Sequence, residues 1–303
     1  MNRESKEQII KEAMYEYVNA SIENKSLTKI SEKYGITRKV LTNRLKKAGY
    51  EIINYQNRVR FNENIFDSID TEEKAYWLGF IFADGNISSI GNRLEIRLSY
   101  NDLTHLEKFR KFIGLTTEIR CGVNKEGYKW CHLSVRNKHI WNILNNYGCV
   151  PRKSLILEFP KITIFNNTDL VIDFIRGYVD GDGSLMILNK EGYPETRLTV
   201  VSTEKFLNSV NKIFLNSGKI RSQSTINYSN NSYELRFSQI RSRIVARILY
   251  SHASIYLDRK YDKYKKFCLL EEKSSKIKSS RFGESWKANT KVHDSITKAI
   301  NTL

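Results

Sequence analysis

The feature that most constrains this chain is a nine-residue apolar pattern that occurs twice. Residues 77–85 read Trp-Leu-Gly-Phe-Ile-Phe-Ala-Asp-Gly, and residues 175–183 read Ile-Arg-Gly-Tyr-Val-Asp-Gly-Asp-Gly. Small residues recur four positions apart in each copy, so they fall on one helix face and leave a groove without side chains. Helices with such grooves can pack backbone against backbone. We therefore predict two buried helices that pack against each other.

Each copy ends in Asp-Gly, which places a carboxylate at the C-terminal end of its helix. Asp84 and Asp182 lie 98 residues apart, so each copy can head a domain of its own. A carboxylate is disfavoured at the negative end of the helix dipole, and two neighbouring carboxylates repel each other. Divalent cations between them would relieve both penalties. Gly85 and Gly183 suit the left-handed position that ends a helix.

The paired pattern resembles the motif of the LAGLIDADG homing endonucleases, in their single-chain form with two motifs. The resemblance covers about residues 65–270. Two ordinary buried helices with Asp-Gly turns would explain one copy but explain two less well. The resemblance implies a monomeric, Mg²⁺-dependent endonuclease that cuts both strands of DNA at a long, specific, near-asymmetric site and leaves short 3′ overhangs. It also implies two αββαββα units whose sheets form a saddle over the major groove.

The resemblance further implies two or three Mg²⁺ ions between the motif helices. The implied ligands are carboxylates and backbone carbonyls: Asp84, Asp182, Ala83 and Gly181. Basic pairs recur at residues 152–153 and 259–260, at matching places in the two halves. A basic residue near this place in the family helps to activate water or stabilise developing charge, which assigns Lys153 and Lys260 as catalytic. A lysine on the surface of a basic protein is the alternative, and repetition favours the catalytic role.

Composition limits the kind of partner. The formal net charge of +17 and a pI near 9.6 favour a polyanion, either nucleic acid or an anionic membrane surface. The apolar runs are far shorter than the roughly 20 residues that span a bilayer, so nucleic acid is favoured. Four cysteines form no Cys-x-x-Cys pair and five histidines give no zinc spacing. We expect reduced thiols and a cytoplasmic, nucleoid-associated protein if the source is a bacterium or phage, with an organelle left open.

The first 50 residues have the pattern of a small DNA-binding domain. Helices are predicted at about residues 5–23, 28–34 and 38–47, with Gly35 in the second turn and Val40, Leu41 and Leu45 facing inward. This is the order of a helix-turn-helix. Its third helix carries basic residues that we assign to DNA contact: Arg38, Lys39, Arg44 and Lys47. A packing module with a solvated basic face is the alternative.

The rest of the chain divides into a linker at 51–66, one unit at 67–165, a second at 166–270, and a basic, flexible tail at 271–303. Each unit repeats the order of motif helix, strand, helix, two strands and helix. Asp70 and Glu73 resemble a capping box for the first motif helix. The predicted fold is α+β, with two pseudo-symmetric αββαββα units that share a two-helix interface, plus a small all-α helix-turn-helix domain.

Polar residues alternate with apolar residues on the predicted strands. Their side chains are of the types that read base edges, and we assign these to DNA binding: Arg93, Glu95, Arg97, Arg197, Thr199, Arg221, Gln223 and Arg236. A polar outer face is also normal for any solvated antiparallel sheet. The assignment therefore depends on the net charge and on the paired motif.

Two departures from the family pattern leave other functions open. Phe82 stands in the first motif where the second has Asp180. Tyr100 and Thr203 stand near the place where the family often has a Gln that touches metal-bound water. These features favour a DNA-binding regulator that keeps the fold without cleavage. The resemblance also leaves open an intron maturase on the same fold, because some family members bind RNA. The two retained motif aspartates favour the endonuclease.

Overall fold

The computed structural model describes residues 3–53, 60–190, 193–217, 220, 222–229 and 231–278. These residues form two compact units: residues 1–62 with 110–118, and residues 63–109 with 119–303. Three predicted features lie wholly or partly outside the described residues. They are the middle of the linker at 54–59, the side chain of Arg221, and the tail from residue 279 onward.

The first unit contains α1 (Arg3–Asn19), α2 (Leu27–Lys33) and α3 (Arg38–Lys47). Gly35 has a φ of +61°, which lets the chain turn sharply between α2 and α3. Apolar side chains from all three helices form its core: Ala13, Tyr17, Leu27, Ile30, Leu41 and Leu45. The inward position predicted for Val40 is wrong, since 38% of this residue is exposed. Leu41 and Leu45, four residues apart, already occupy the buried face, and Val40 points about 100° away from Leu41.

The second unit contains two halves with the same order of elements. The first half has α4 (Glu72–Asp84), β1 (Gly85–Ser88), β2 (Arg93–Ser99), α5 (Leu103–Phe112), β3 (Arg120–Val123), β4 (Lys129–Arg136) and α6 (Lys138–Asn146). The second half has α7 (Leu170–Asp182), β5 (Gly183–Lys190), β6 (Tyr193–Ser202), α8 (Glu204–Asn216), β7 (Ile226–Ser229), β8 (Ser232–Ser238), α9 (Ile240–Tyr250) and α10 (Asp258–Lys278).

Each half builds one antiparallel sheet. The strand orders are β1-β2-β4-β3 and β5-β6-β8-β7, so the two sheets have the same topology. On β2 the apolar residues Leu94, Ile96 and Leu98 are buried, as their alternation with polar residues predicts. The predicted α+β fold of two αββαββα units is confirmed. α10 was not predicted. Its last eight residues, 271–278, lie in the segment that was predicted to be a flexible tail.

The motif helices α4 and α7 pack against each other through their backbones. A Cβ atom on Gly79 would lie 1.9 Å from the carbonyl oxygen of Phe174, and one on Gly177 would lie 1.9 Å from that of Tyr76. The contact is reciprocal, which follows from the repeated spacing of small residues. The predicted two-helix interface is confirmed.

Among the described residues, α4 included, no helix has both the length and the apolarity needed to cross a membrane.

Two local predictions at the ends of the motif helices are wrong. Gly85 and Gly183 are extended, with φ of −73° and −101°, because β1 and β5 begin directly at these residues. Glycine is required there for space, since a Cβ on either would lie 2.5 Å from a carbonyl oxygen of its own helix. The cap of α4 is Thr71, whose hydroxyl accepts the Lys74 N–H at 3.3 Å. Asp70 instead forms an ion pair with the Lys74 ammonium at 2.8 Å.

Candidate active site

The backbone contact of the motif helices brings their two terminal carboxylates into one region. Asp84 ends α4 and Asp182 ends α7. A Cβ atom on Gly181 would lie 3.3 Å from Oδ2 of Asp84, so the carboxylate of Asp84 lies directly against the last turn of α7. The methyl group of Ala83 lies nearer still to the position of this added Cβ, so the missing side chain at Gly181 lets the end of α4 pack closely against α7.

The environment disfavours negative charge on both aspartates. Burial and then the charge of Asp182 raise the pKa of Asp84 to about 6, against the opposing effect of Lys260 and Lys153. Burial also raises the pKa of Asp182, although its side chain still reaches solvent. Both carboxylates therefore lie at helix C-termini with pKa values that burial raises and that Lys153 and Lys260 only partly lower again.

The donor set fits a hard cation. Asp84 and Asp182 offer carboxylate oxygens, and the last turns of their helices offer carbonyl oxygens, which are ligands that Mg²⁺ accepts. In the described part of the chain no three His, Cys, Asp or Glu side chains come together as a metal-binding group. Water and substrate phosphate would therefore complete the coordination, as is usual for Mg²⁺ at nucleic-acid sites.

Both predicted lysines lie at the ends of the motif helices. Lys153 donates a hydrogen bond to the carbonyl of Ala83 at 2.7 Å. Lys260 donates to four carbonyl oxygens at the end of α7, those of Val179, Asp180, Gly181 and Gly183, at 2.6, 2.6, 3.2 and 2.8 Å. Burial lowers the pKa of Lys260 to about 8. The carbonyls of Ala83 and Gly181, predicted as metal ligands, thus accept hydrogen bonds from lysines in this structure.

The residue that differs between the two motifs, Asp180 in the second, lies in the protein interior. Asp180 is fully buried and accepts hydrogen bonds from the hydroxyls of Tyr76 and Tyr250 at 2.7 and 2.6 Å, and from the Leu257 N–H at 2.7 Å. Its counterpart Phe82 is also buried and packs against the ring of Phe174. The exchange of Phe for Asp therefore changes the core of the second half rather than the region between Asp84 and Asp182.

Known proteins similar to this chain include one curated protein and several solved structures. No family model matches the chain. An uncharacterized protein of Methanocaldococcus jannaschii is 24% identical over 187 residues, a match that covers 59% of this chain and 65% of that protein. The chain thus spans just under two thirds of the length of this curated relative.

Similar solved structures are homing endonucleases. LAGLIDADG meganuclease I-AabMI, bound to uncleaved DNA, is 11% identical with a TM-score of 0.43, over 74% of this chain and 97% of that chain. The I-LtrWI LAGLIDADG homing endonuclease, bound to target DNA, is 12% identical with a TM-score of 0.43, over 77% and 98%. The order of elements and the packed motif helices decide the architecture. The chain has two αββαββα units that share a two-helix interface.

Asp180 and Asp182 are expected to respond differently to substitution, although they lie two residues apart. Asp180→Leu leaves the Tyr250 hydroxyl and the Leu257 N–H without their buried acceptor, which should lower the free energy of unfolding by about 2–5 kcal/mol. Asp182→Leu is the matched control, because its carboxylate is already disfavoured by its surroundings. Urea unfolding of both variants measures the difference. If both variants lost the same free energy of unfolding, the buried hydrogen bonds of Asp180 would not be the cause of the loss.

The two positions predicted for a water-positioning residue hold Thr203 and Tyr100. The Thr203 hydroxyl caps α8 by accepting the Phe206 N–H at 3.2 Å, and it donates to the carbonyl of Leu157. Tyr100 lies in a short turn after β2 and is 43% exposed. Tyr100 and Thr203 carry hydroxyl groups, so neither position supplies the glutamine amide that the resemblance implies.

The outward face of the first sheet carries the predicted Arg93, Glu95 and Arg97. The Arg97 guanidinium lies over the ring of Trp130, 4.5 Å from its centroid, and Glu95 lies 3.4 Å from the His132 ring. Trp130 and His132 were not assigned from the sequence. They alternate with buried residues along β4, which is a signal that could have identified them. A stacked arginine presents its planar donors in a fixed direction, as base readout requires.

The outward face of the second sheet carries paired charges. Arg197 lies 3.4 Å from Glu195, and Arg236 lies 2.6 Å from Glu234. Thr199 lies opposite Arg236 on the same face, but only 5% of it is exposed. Gln223 is exposed in the segment before β7, and the side chain of Arg221 lies outside the described residues.

The basic residues of α3 lie on the surface of the first unit. Arg38, Lys39 and Lys47 are exposed. Arg44 is half-buried and forms an ion pair with Glu7 of α1 at 2.8 Å. The role of these four residues in DNA binding stays a prediction.

Proposed function

We propose that this protein is a site-specific DNA endonuclease that hydrolyses both strands of a duplex with Mg²⁺ and leaves short 3′ overhangs. The observation that carries the proposal is the pair of carboxylates at the ends of two helices in backbone contact. The reciprocal close approach at Gly79 and Gly177 fixes the helix ends relative to each other. Burial raises the pKa values of Asp84 and Asp182, and the nearby Lys153 and Lys260 offset only part of that effect. A site of this kind is suited to cations that arrive with a polyanionic substrate.

Each residue has a defined part in this proposal. Asp84 and Asp182 hold the metal ions, with the carbonyls of Ala83 and Gly181 as further ligands through the second lone pair of each oxygen, which the lysines leave free. When bound, Mg²⁺ activates water and neutralises charge on the phosphate. The lysines supply positive charge at the helix ends, where the developing negative charge of the phosphate is stabilised.

The proposed partner is double-stranded DNA with a long, specific, near-asymmetric site. The net charge of +17 favours binding to the phosphate backbone. We assign the arginines on the two sheet faces to the reading of base edges, and α3 of the first unit to a second basic surface that enters a major groove. Because the two halves of one chain supply both carboxylates, we propose that the protein acts as a monomer.

The experiment is a cleavage assay on a DNA library that contains the joined flanks of the protein's own gene. The purified protein is incubated with Mg²⁺ or with Ca²⁺, and all new DNA ends are sequenced. We expect one discrete double-strand cut with a 3′ overhang in Mg²⁺ only. The Asp84→Asn/Asp182→Asn double variant is the control and should bind without cutting. Cutting by this double variant in Mg²⁺ would overturn the site assignment.

A DNA-binding regulator is the second candidate. It is favoured by one observation: the carbonyls of Ala83 and Gly181 accept hydrogen bonds from Lys153 and Lys260. Specific binding of one library sequence with no new ends in either ion would support the regulator. Preference for structured intron RNA over duplex DNA in a competition assay would instead support a maturase.

A further inference from the structure

The two lysines at the motif helices are held very differently. The Lys260 ammonium faces four carbonyl oxygens within 3.2 Å, and only 4% of the residue is exposed. Lys153 is only half-buried, and its ammonium donates to a single carbonyl, that of Ala83. An ammonium has three N–H donors, so Lys260 has none left for a substrate, whereas Lys153 has two.

Three consecutive residues before Lys260 are held by polar contacts. Leu257 donates its N–H to the buried carboxylate of Asp180, Asp258 forms an ion pair with Lys108 at 2.8 Å, and Arg259 forms one with Asp102 at 3.0 Å. Lys108 and Asp102 belong to the first half of the second unit. This segment therefore joins the end of α7 to the other half, and Lys260 cannot move without disturbing it.

The chain around Lys153 is exposed. Arg152 has a φ of +59°, and the following Leu155 and Ile156 are 79% and 62% exposed. This turn can shift with little loss of buried contact, because few of its side chains are covered. Lys153 can therefore leave Ala83 and approach a phosphate, at the cost of one hydrogen bond.

We propose that the two lysines have different roles: Lys153 is the catalytic ammonium, and Lys260 is a structural cap of α7. The proposal rests on the endonuclease function proposed above. It implies that the two active sites are unequal and that the two DNA strands are cut at different rates. A nicked intermediate, opened on one defined strand, should accumulate before the double-strand break.

The test uses Lys153→Met, Lys260→Met and, as control, Lys205→Met, an exposed lysine paired with Glu158. Cleavage of each strand is followed with a different end label in Mg²⁺, and melting temperatures are measured without metal. Lys153→Met should slow the faster strand by about 100-fold and leave the slower strand and the melting temperature unchanged. Lys260→Met should lower the melting temperature by about 10 °C, because the carbonyls at the end of α7 lose their buried donor.

Several results would overturn the proposal. Equal cutting of both strands by the wild type would contradict it, and so would a Lys260→Met variant that melts like the wild type and loses cutting of one strand. If Lys260→Met does not fold, the strand-resolved rates of the wild type and of Lys153→Met still decide whether the sites are unequal. If the wild type cuts no DNA at all, the endonuclease function fails, while the melting temperatures still test the cap.

Discussion

Replacing Gly177 by alanine is expected to lower the free energy of unfolding by more than about 3 kcal/mol, which is a large part of the stability of a typical domain. The added Cβ would lie 1.9 Å from the carbonyl oxygen of Tyr76, where only backbone atoms could move to make room. Gly79→Ala should have the same effect from the opposite helix, since its Cβ would meet the carbonyl of Phe174 at the same distance. The helices would have to separate, which would also disperse the two carboxylates.

Urea unfolding followed by circular dichroism measures this loss. Gly127→Ala is the matched control, because its φ of +85° makes alanine unfavourable while nothing lies within 4 Å of the added atom. The control should lose about 1–2 kcal/mol from backbone strain alone. If Gly177→Ala lost no more than Gly127→Ala, the close backbone contact of the motif helices would be refuted.

Replacing Asp84 by asparagine is expected to abolish cleavage and yet to stabilise the metal-free protein at pH 7. The folded pKa of Asp84 is about 6 against an ordinary value of 3.8, so the folded state binds this proton more tightly than the unfolded state. Stability from this group is therefore complete below pH 3.8 and is lost as the pH rises through about 6. At pH 7 asparagine removes that penalty, a gain of about 1–3 kcal/mol.

The pH dependence distinguishes this effect from a general change in packing. Unfolding in urea with EDTA should show the gain of Asp84→Asn in full above pH 6 and a steady decrease toward pH 4. Asp262→Asn is the control with the opposite sign, because a hydrogen bond from Lys265 lowers the pKa of this exposed residue. A gain for Asp84→Asn that does not change with pH would refute the burial of the Asp84 charge, and its repulsion by Asp182, as the cause.

Local sequence spacing predicted the elements of the second unit well where one face of an element is buried. The alternation on β2 and the four-residue spacing of small residues on α4 and α7 each leave one possible buried face, and the structure has those faces. The strands β1 and β5 were not predicted because they start directly at the motif glycines. The Asp-Gly pattern predicts a left-handed residue at the end of each helix instead. The cap of α4 was misplaced by one residue because Asp70 and Thr71 are both good capping residues.

The amino-acid pattern alone was sufficient to predict the duplicated fold, the contact between the motif helices and the positions of the two terminal carboxylates. Each of these depends on residues a few positions apart, whose directions a helix or strand sets by its own geometry. The roles of Asp180 and Lys260 required the tertiary structure. Their partners lie far away in the chain, with Tyr250 70 residues from Asp180 and Val179 81 residues from Lys260. No local period encodes which distant groups meet, so only packing could decide that Asp180 is a buried acceptor and that Lys260 lies among four carbonyl oxygens.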